Sequence, residues 1–242
     1  MISSSVILHP TAKIGPFCNI HADVQIGKGT IIETNVTIHD GVRIGEGCHI
    51  HSGSVIGADS VISCAKGCTQ TIIGDNTKIF QYVNIGRGTQ IGNNCFIMAY
   101  CDISCGCVLH NNVIMANMTR LGEEVIVEEW GKFGGGSIVS PKVKIGTLAL
   151  IQGGTIIDKD VPPYILAARN PSKYCGLNAI GLQRRAFTQE QKHLIKEAYH
   201  LIYDFDSNIE LAIQQLVDTL PMTIEIQHIV DFLKNSICII DK

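Results

Sequence analysis

Large aliphatic residues recur at every sixth position along about two thirds of this 242-residue chain. One register holds eleven positions from Ile2 to Ile62, and a second holds fifteen from Ile73 to Ile157, all of them apolar. The second register is displaced by five residues within the stretch SCAKGCTQTI. A spacing of six fits neither an α-helix nor a single strand. It predicts a solenoid of short strands and turns, in which three hexads close one coil of about 18 residues.

A second set of positions, two residues before each large aliphatic, carries small or β-branched side chains. Its members include Val6, Cys18, Thr30, Cys48, Thr77, Cys95, Cys101, Cys107 and Val113. Residues two apart on a strand share a face, so both sets are expected to point inward. Cys101 and Cys107 are therefore predicted to be small core residues. A sandwich of short strands is the alternative architecture.

The hexad pattern ends near DKDVPPY, and helical spacing follows it. Thr188 and Gln191 have the spacing of a capping box at the start of RRAFTQEQKHLIKEAYHLIYDF. Two more helices are predicted, one opened by Ser207 and Glu210 and running through Leu216, the other from about Met222 to Leu233. We predict a β-solenoid over residues 1–160 and a helical domain over 161–242. The helical domain is expected to pack on a neighbouring subunit or to cap the open end of the prism.

Charge and composition exclude several function classes. The net charge of −3 leaves no basic excess for nucleic acid. No apolar run is long enough to span a membrane, and MISSSVILHPTAK lacks the features of a signal peptide, so a cytoplasmic protein is expected. Its ten cysteines are then expected to be thiols. The spacings CGC and CDISC match no zinc template.

The hexads, the opening HPTAKIGPF and above all DVPPYILAARNPSKYCGLNAIGLQRRAFT with its helical tail resemble the UDP-N-acetylglucosamine acyltransferases over essentially the whole chain. The resemblance implies an all-β left-handed parallel β-helix with a C-terminal α-helical domain, assembled as a homotrimer without a metal or cofactor. Enzymes of this family begin lipid A synthesis. They transfer a hydroxyacyl chain from acyl carrier protein to a UDP-amino sugar in clefts between prisms, with a histidine as general base.

The catalytic stretch of the family, roughly NAHIAHDCTVGN, falls on YCDISCGCVLHN at residues 100–111. Cys105 occupies the position of the general-base histidine, and Asp102 that of the first histidine in the stretch. Two further family histidines fall on Glu124 and Ser140. The chain is therefore predicted to be a divergent member that lacks these four histidines.

Other positions that the resemblance links to substrates are retained. Asn178, Arg184 and Arg185 match the nucleotide-contacting region, and Gly153 matches the glycine that leaves room for a long acyl chain. An ion pair at a helix start is the alternative for the two arginines. Two functions remain open: an acyltransferase that works without the usual histidine, or a catalytically lapsed homologue acting as a ligand-binding, structural or regulatory subunit.

Cys105 follows Ile103 by two residues, out of both inward sets, and is expected on an outer turn beside Arg87 and Glu123. Because a nearby arginine lowers the pKa of a thiol, Cys105 is a candidate base or nucleophile. The alternative is a position without a catalytic role. Asp102 is expected beside Arg120, as a structural ion pair or as a catalytic carboxylate.

Histidines offer no complete metal site in the sequence pattern. His21 and His39 are predicted to stack on one face, with His51 on another, and no third ligand is evident. A zinc site like that of γ-class carbonic anhydrases is therefore not predicted. His110 is the nearest histidine to Cys105 along the chain, but it lies around the next corner, so no Cys–His dyad is expected within one chain.

Overall fold

A computed structural model describes residues 1–59, 70–204 and 209–242. Within them the chain winds into a parallel β-helix, a prism whose three sheets each take one short strand from every coil. The first sheet contains, in spatial order, Ile7–Leu8, Gln25–Ile26, Val42–Ile44, Thr71–Ile73, Gln90–Ile91, Val108–Leu109, Ile126–Val127 and Lys144–Ile145.

The other two sheets follow the same order along the prism. The second contains Lys13–Ile14, Ile31–Ile32, His49–Ile50, Lys78–Ile79, Phe96–Ile97, Ile114–Met115, Lys132–Phe133, Leu150–Ile151, Ile165–Ala168 and Lys173–Leu177. The third contains Asn19–Ile20, Thr37–Ile38, Val55–Ala58, Asn84–Gly86, Asp102–Ile103, Arg120–Leu121, Ile138–Val139 and Ile156–Ile157.

Strand pairing confirms the solenoid and excludes the sandwich. Ile103 pairs with Leu121 in the next coil, as the hexad arithmetic predicts. Across the change of register, Ile56 pairs with Ile85, so the inserted residues leave the stack of aliphatic side chains aligned. Ile62 and most of the SCAKGCTQTI stretch lie outside the described residues.

The sixth-position aliphatics form one continuous hydrophobic core along the prism. Phe133 and Tyr199 are the largest fully buried side chains. Ile2 and Leu8 depart from the prediction, being 46% and 37% exposed, because no earlier coil covers the first one described.

The small residues of the second set face inward and also act as hydrogen-bond donors. The Thr77 hydroxyl donates to the carbonyl of Gly92 at 2.9 Å, and the Cys95 thiol donates to that of His110 at 3.2 Å. Backbone carbonyls at the turns thereby gain buried partners, whose absence would cost free energy. Threonine and cysteine at these positions therefore combine small volume with a donor.

Turns align along the prism as three edges. The Cys105 edge includes the turns 87–88, 105–106, 123–124 and 141–142. The Gly153 edge includes the turns 81–82, 99–100, 117–118, 135–136 and 153–154. The Trp130 edge includes the turns 75–76, 93–94, 111–112, 129–130 and 147–148. Residues on one edge stack in adjacent coils, whereas residues on different edges are separated by a full strand.

Four helices follow the prism: α1 (Ala179–Arg184), α2 (Gln189–Asp204), α3 (Ile209–Thr219) and α4 (Ile224–Lys234). The predicted capping box of α2 is confirmed. The N–H of Thr188 donates to Gln191 Oε1 at 2.8 Å, and the N–H of Gln191 donates to Thr188 Oγ1 at 3.1 Å. Ser207, predicted to open α3, lies outside the described residues. Neither α1 nor the antiparallel strand Lys173–Leu177 was predicted.

The helical tail caps the C-terminal end of the prism. His228 of α4 contacts the Glu128 carboxylate at 2.9 Å through Nε2 and the Tyr164 hydroxyl at 3.0 Å through Nδ1. Tyr199 of α2, fully buried, donates to the carbonyl of Pro163 at 2.6 Å. The second sheet runs past residue 160, so the division into two folding units at that residue stays a prediction. Among the described residues, no helix is long and apolar enough to cross a bilayer.

Replacing Phe133 by alanine is expected to lower the free energy of unfolding by about 3–5 kcal/mol, because a fully buried aromatic ring leaves a cavity in a packed coil. Chemical denaturation followed by circular dichroism measures the change. Ile138→Ala is the matched control, since Ile138 is 40% exposed and its truncation should cost less than half as much. Equal losses in the two variants would contradict the assignment of Phe133 to the core.

Glu128→Gln is expected to destabilise the protein at pH 7 by about 1–3 kcal/mol, the cost of losing a partly buried charged acceptor. Burial raises the pKa of Glu128, but hydrogen bonds and charge from His228 and Thr147 outweigh it and hold the pKa below 4.5. A carboxyl group whose pKa is lower in the folded than in the unfolded protein stabilises the folded state at pH values above its unfolded-state pKa. This stabilisation is lost as the pH falls through the folded-state pKa.

The difference in melting temperature between the wild-type protein and Glu128→Gln should therefore become smaller below about pH 4.5. Thermal melts across pH 3–8 measure it, with exposed Glu129→Gln as the control. A gap that stays constant over this range would show that ionisation of Glu128 does not stabilise the docked tail.

Candidate active site

A cleft of about 520 Å³ runs beside the Cys105 edge, over the outer face of the third sheet. It is lined by Ala58, Asp59, Asn84, Gly86, Asp102, Ile103, Ser104, Cys105, Gly122, Glu123 and Pro141. Glycine at position 86 of this lining allows the next coil to stack closely, because a Cβ there would lie 2.6 Å from the backbone nitrogen of Cys105. Cys105 and Asp102, predicted from the sequence as site residues, thus share one concave surface.

Asp102 begins a strand of the third sheet, and its half-buried side chain points into the cleft. Its Oδ1 accepts a hydrogen bond from Asn84 Nδ2 at 2.9 Å, one coil earlier. The predicted ion pair with Arg120 is not among the ion pairs of the described residues, although the backbones of the two residues are paired as expected. The Asp102 side chain is engaged by the preceding coil, and the Arg120 side chain is exposed. Asn84 was not predicted as a site residue, although the spacing of 18 residues places it one coil before Asp102.

Cys105 lies at a turn, as predicted, but only 4% of it is exposed. Its sulfur donates weakly to the carbonyl of Ala58, at 3.8 Å. Arg87, expected beside the thiol, pairs with Asp40 at 3.3 Å and with Asp59. The candidate role of Cys105 as a base or nucleophile stays a prediction.

The neighbouring thiols are structural. Cys101 and Cys107 are buried as predicted, and their sulfurs donate to the carbonyls of Ala116 and Gly122, both at 3.1 Å. Burial raises the pKa of Cys101 to about 11 and that of Cys107 to about 12. Both are therefore protonated at neutral pH and poor nucleophiles.

None of the described residues that line the cleft is a histidine. Glu124 occupies an exposed turn position of the Cys105 edge with φ of 57°, and Ser140 lies one coil further on, beside the cleft residue Pro141. His110 lines a separate groove with Asn93 and Asn111, on a different edge of the prism.

The residues matched to nucleotide contacts lie near the Trp130 edge. The guanidinium of Arg185, just after α1, stacks on the ring of Trp130 with 3.2 Å to the ring centroid. Arg184 is exposed at the end of α1. Asn178 is buried: it caps α1 by accepting from the N–H of Gly181 at 3.0 Å and donates to the carbonyl of Leu148 at 2.8 Å. Its side-chain groups are thus engaged within the chain.

Gly153 lies on the Gly153 edge of the prism, where a Cβ on this residue would come 3.0 Å from the carbonyl oxygen of Gly135. The same edge carries a ridge of exposed apolar side chains: Tyr82 at 58%, Tyr100 at 56% and Met118 at 60%, with the two tyrosine rings stacked at 5.4 Å. Cys105, Arg185 and Gly153 therefore belong to different edges, and one protomer alone does not bring them into one site.

The structure also groups three side chains of metal-ligating type, Glu33, His49 and His51, outside the cleft. Burial opposes ionisation of Glu33, but hydrogen bonds from Ser52 together with His51 and His49 lower its pKa below 4.5. Burial and the neighbouring His49 lower the pKa of His51. His21 and His39 are neighbours on one face, as predicted, with ring centroids 4.8 Å apart and planes inclined at 55°.

Two family models match the chain. "Udp N-acetylglucosamine O-acyltransferase; Domain 2" covers residues 160–238, and "Bacterial transferase hexapeptide (six repeats)" covers residues 5–40 and 88–123. A curated relative from Synechocystis sp., acyl-[acyl-carrier-protein]–UDP-N-acetylglucosamine O-acyltransferase, is 34% identical over 150 residues. The match spans 60% of this chain and about half, 54%, of that relative.

Solved structures match over the whole chain. LpxA from Acinetobacter baumannii is 28% identical with a TM-score of 0.95, covering 100% of this chain and 97% of its own. The UDP-N-acetylglucosamine acyltransferase of Francisella novicida is 31% identical with a TM-score of 0.89, covering 100% of this chain and 94% of its own. The chain therefore belongs to the UDP-N-acetylglucosamine acyltransferase family, and its prism is the left-handed parallel β-helix of that family.

Proposed function

We propose that this protein transfers a hydroxyacyl chain from acyl carrier protein to a hydroxyl of UDP-N-acetylglucosamine, the first reaction of lipid A biosynthesis. The names of its relatives support this reaction. The observation that carries the proposal is the cleft at the Cys105 edge, which holds an accessible carboxylate at the position where the family resemblance places the catalytic stretch.

Asp102 is the proposed general base. Asn84 holds one of its oxygens, and the described residues supply no hydrogen-bond donor to the other, Oδ2. Oδ2 takes the proton of the acceptor hydroxyl while the hydroxyl oxygen attacks the thioester carbonyl carbon. The carbon–sulfur bond then breaks, and the carrier sulfur leaves with the proton returned by Asp102. Asn84 acts as a positioning residue.

Cys105 is given a supporting role in this mechanism. Its thiol is nearly inaccessible to solvent, which limits its use as a base or nucleophile. It contributes to the wall of the cleft beside Asp102.

The homotrimer follows as part of the proposal. Catalytic, nucleotide-binding and acyl-chain residues lie near three different edges of one protomer, so a shared site requires that adjacent protomers bring residues of these edges together. The exposed ridge of Tyr82, Tyr100 and Met118 offers apolar area for such a contact. We place the protein in the cytoplasm, where thiols persist, since the eight cysteines among the described residues form no disulfide.

In the substrate complex, Arg185 on its Trp130 platform and Arg184 bind the diphosphate of the nucleotide, because guanidinium groups pair with phosphate in a bidentate manner. Asn178 positions α1, and hence both arginines, through its cap and its bond to Leu148. Gly153 leaves space for the distal end of the acyl chain.

Asp102→Asn is expected to lower kcat by about 10²–10⁴-fold, the usual contribution of a general base, while Cys105→Ala stays within about threefold of wild type. Both are assayed with hydroxyacyl carrier protein and UDP-N-acetylglucosamine, with the product detected by mass. Thermal melts check that each variant folds.

Loss of turnover in Cys105→Ala but not in Asp102→Asn would transfer the catalytic role to the thiol. If the wild-type protein binds the nucleotide sugar but shows no turnover, the chain acts as a ligand-binding homologue and the proposed reaction is wrong.

Gly153→Met is expected to shift acyl preference towards shorter chains, lowering kcat/KM for the longest accepted donor about tenfold or more. The new side chain fills space at an edge where even a Cβ lies 3.0 Å from Gly135. Competition among carrier proteins loaded with different chain lengths measures the shift, and an unchanged KM for the nucleotide sugar serves as the internal control. An unaltered chain-length profile would remove Gly153 from the acyl site.

A further inference from the structure

A compact group of metal-ligating side chains lies on the outer face of the second sheet, away from the proposed active cleft. His49 begins a strand, and His51, two residues later, points to the same side. Glu33 belongs to the preceding coil and stacks below His51, at the separation that pairs neighbouring coils. The hexad register therefore brings all three side chains together without a loop.

The three side chains already converge on a common point. Glu33 Oε1 lies 2.9 Å from His49 Nε2 and 3.0 Å from His51 Nδ1. One nitrogen or oxygen from each residue falls within 4.8 Å of the other two. In a tetrahedral zinc site with bonds of about 2.0–2.1 Å, ligand atoms lie about 3.4 Å apart, close to the separations of the carboxylate oxygen from the two ring nitrogens.

Supporting contacts hold the carboxylate and one imidazole in place. Glu33 Oε2 accepts from the N–H of Ser52 at 3.1 Å and from its hydroxyl at 2.9 Å. The ring of His51 stacks on Phe80, with centroids 4.7 Å apart and planes at 12°. Such second contacts orient ligands in established metal sites. The side chains are partly exposed, at 32% for Glu33, 33% for His49 and 15% for His51, so an ion has access from solvent.

We propose that Glu33, His49 and His51 bind a Zn²⁺ ion on the outer face of the prism, leaving a fourth position for water or a group from another molecule. Two histidines and one glutamate form a ligand set that zinc takes in proteins. The two imidazole rings now stack at 4.0 Å and 17°. Because a bound ion lies in the plane of each ring, binding rotates at least one ring about its side-chain bonds.

The competing explanation is a hydrogen-bonded cluster that binds no metal. In such a cluster a single carboxylate oxygen accepts from both rings, and Zn²⁺ has no saturable effect on the protein. The site is independent of the proposed acyl transfer, since none of its residues lines the cleft.

The test is calorimetric titration of the metal-stripped full-length protein with Zn²⁺, together with the visible absorption spectrum of Co²⁺ as a probe of coordination. One Zn²⁺ per chain is expected, with a tetrahedral Co²⁺ spectrum. His49→Ala, His51→Ala and Glu33→Gln should each weaken binding at least about tenfold. Glu33→Gln retains acceptor and donor groups for Ser52, so it preserves the fold if the alanine variants do not.

The matched control is His39→Ala, which removes one member of the adjacent His21–His39 pair on the third sheet; among the described residues, this pair forms no metal-ligating group with a carboxylate. Its Zn²⁺ affinity should equal that of wild type. The proposal is overturned if the wild-type protein shows no saturable binding, or if His39→Ala weakens binding as much as the three ligand variants do.

Discussion

Parallel backbone hydrogen bonding between coils is the constraint on which the rest of this structure depends. Most strands contain only two residues, too few to persist alone, and each is held by the coils before and after it. The pairing sets the neighbours of every side chain, so residues of one coil type form columns along the prism. The hydrophobic core, the inward donors and the polar cleft at Asp102 are three such columns. A slip of one residue would exchange inward and outward sets, which the aliphatic column opposes.

Much of the prism could be predicted from the sequence because its contacts are periodic. The same arithmetic placed Ile103 beside Leu121 and His21 beside His39. The tail was predicted less completely. Its α2 capping box is local and was recognised, whereas α1 and the strand Lys173–Leu177 depend on contacts distant in sequence, such as the bond from Asn178 to Leu148.

The candidate site shows where periodic reasoning ends. The hexad period predicts which backbone segments are adjacent, but an outward side chain can bond to a residue of either the preceding or the following coil. Asp102 accepts a hydrogen bond from Asn84 and forms no ion pair with Arg120, and Arg87 pairs with Asp40 and Asp59. The group formed by Glu33 and His51 followed from the same arithmetic and was missed because only histidines were compared. Rotamer choice and competition among partners are not encoded in spacing.

The pairing of Ile56 with Ile85 has a consequence for how such proteins change over time. Extra residues at a corner leave the aliphatic column aligned, so the length of a corner segment is decoupled from the packing beneath it. Insertions and deletions there carry little penalty for the scaffold. New specificities can therefore be sampled at corners, one segment at a time, while the stacked coils keep a constant spacing that presents each variant in the same orientation.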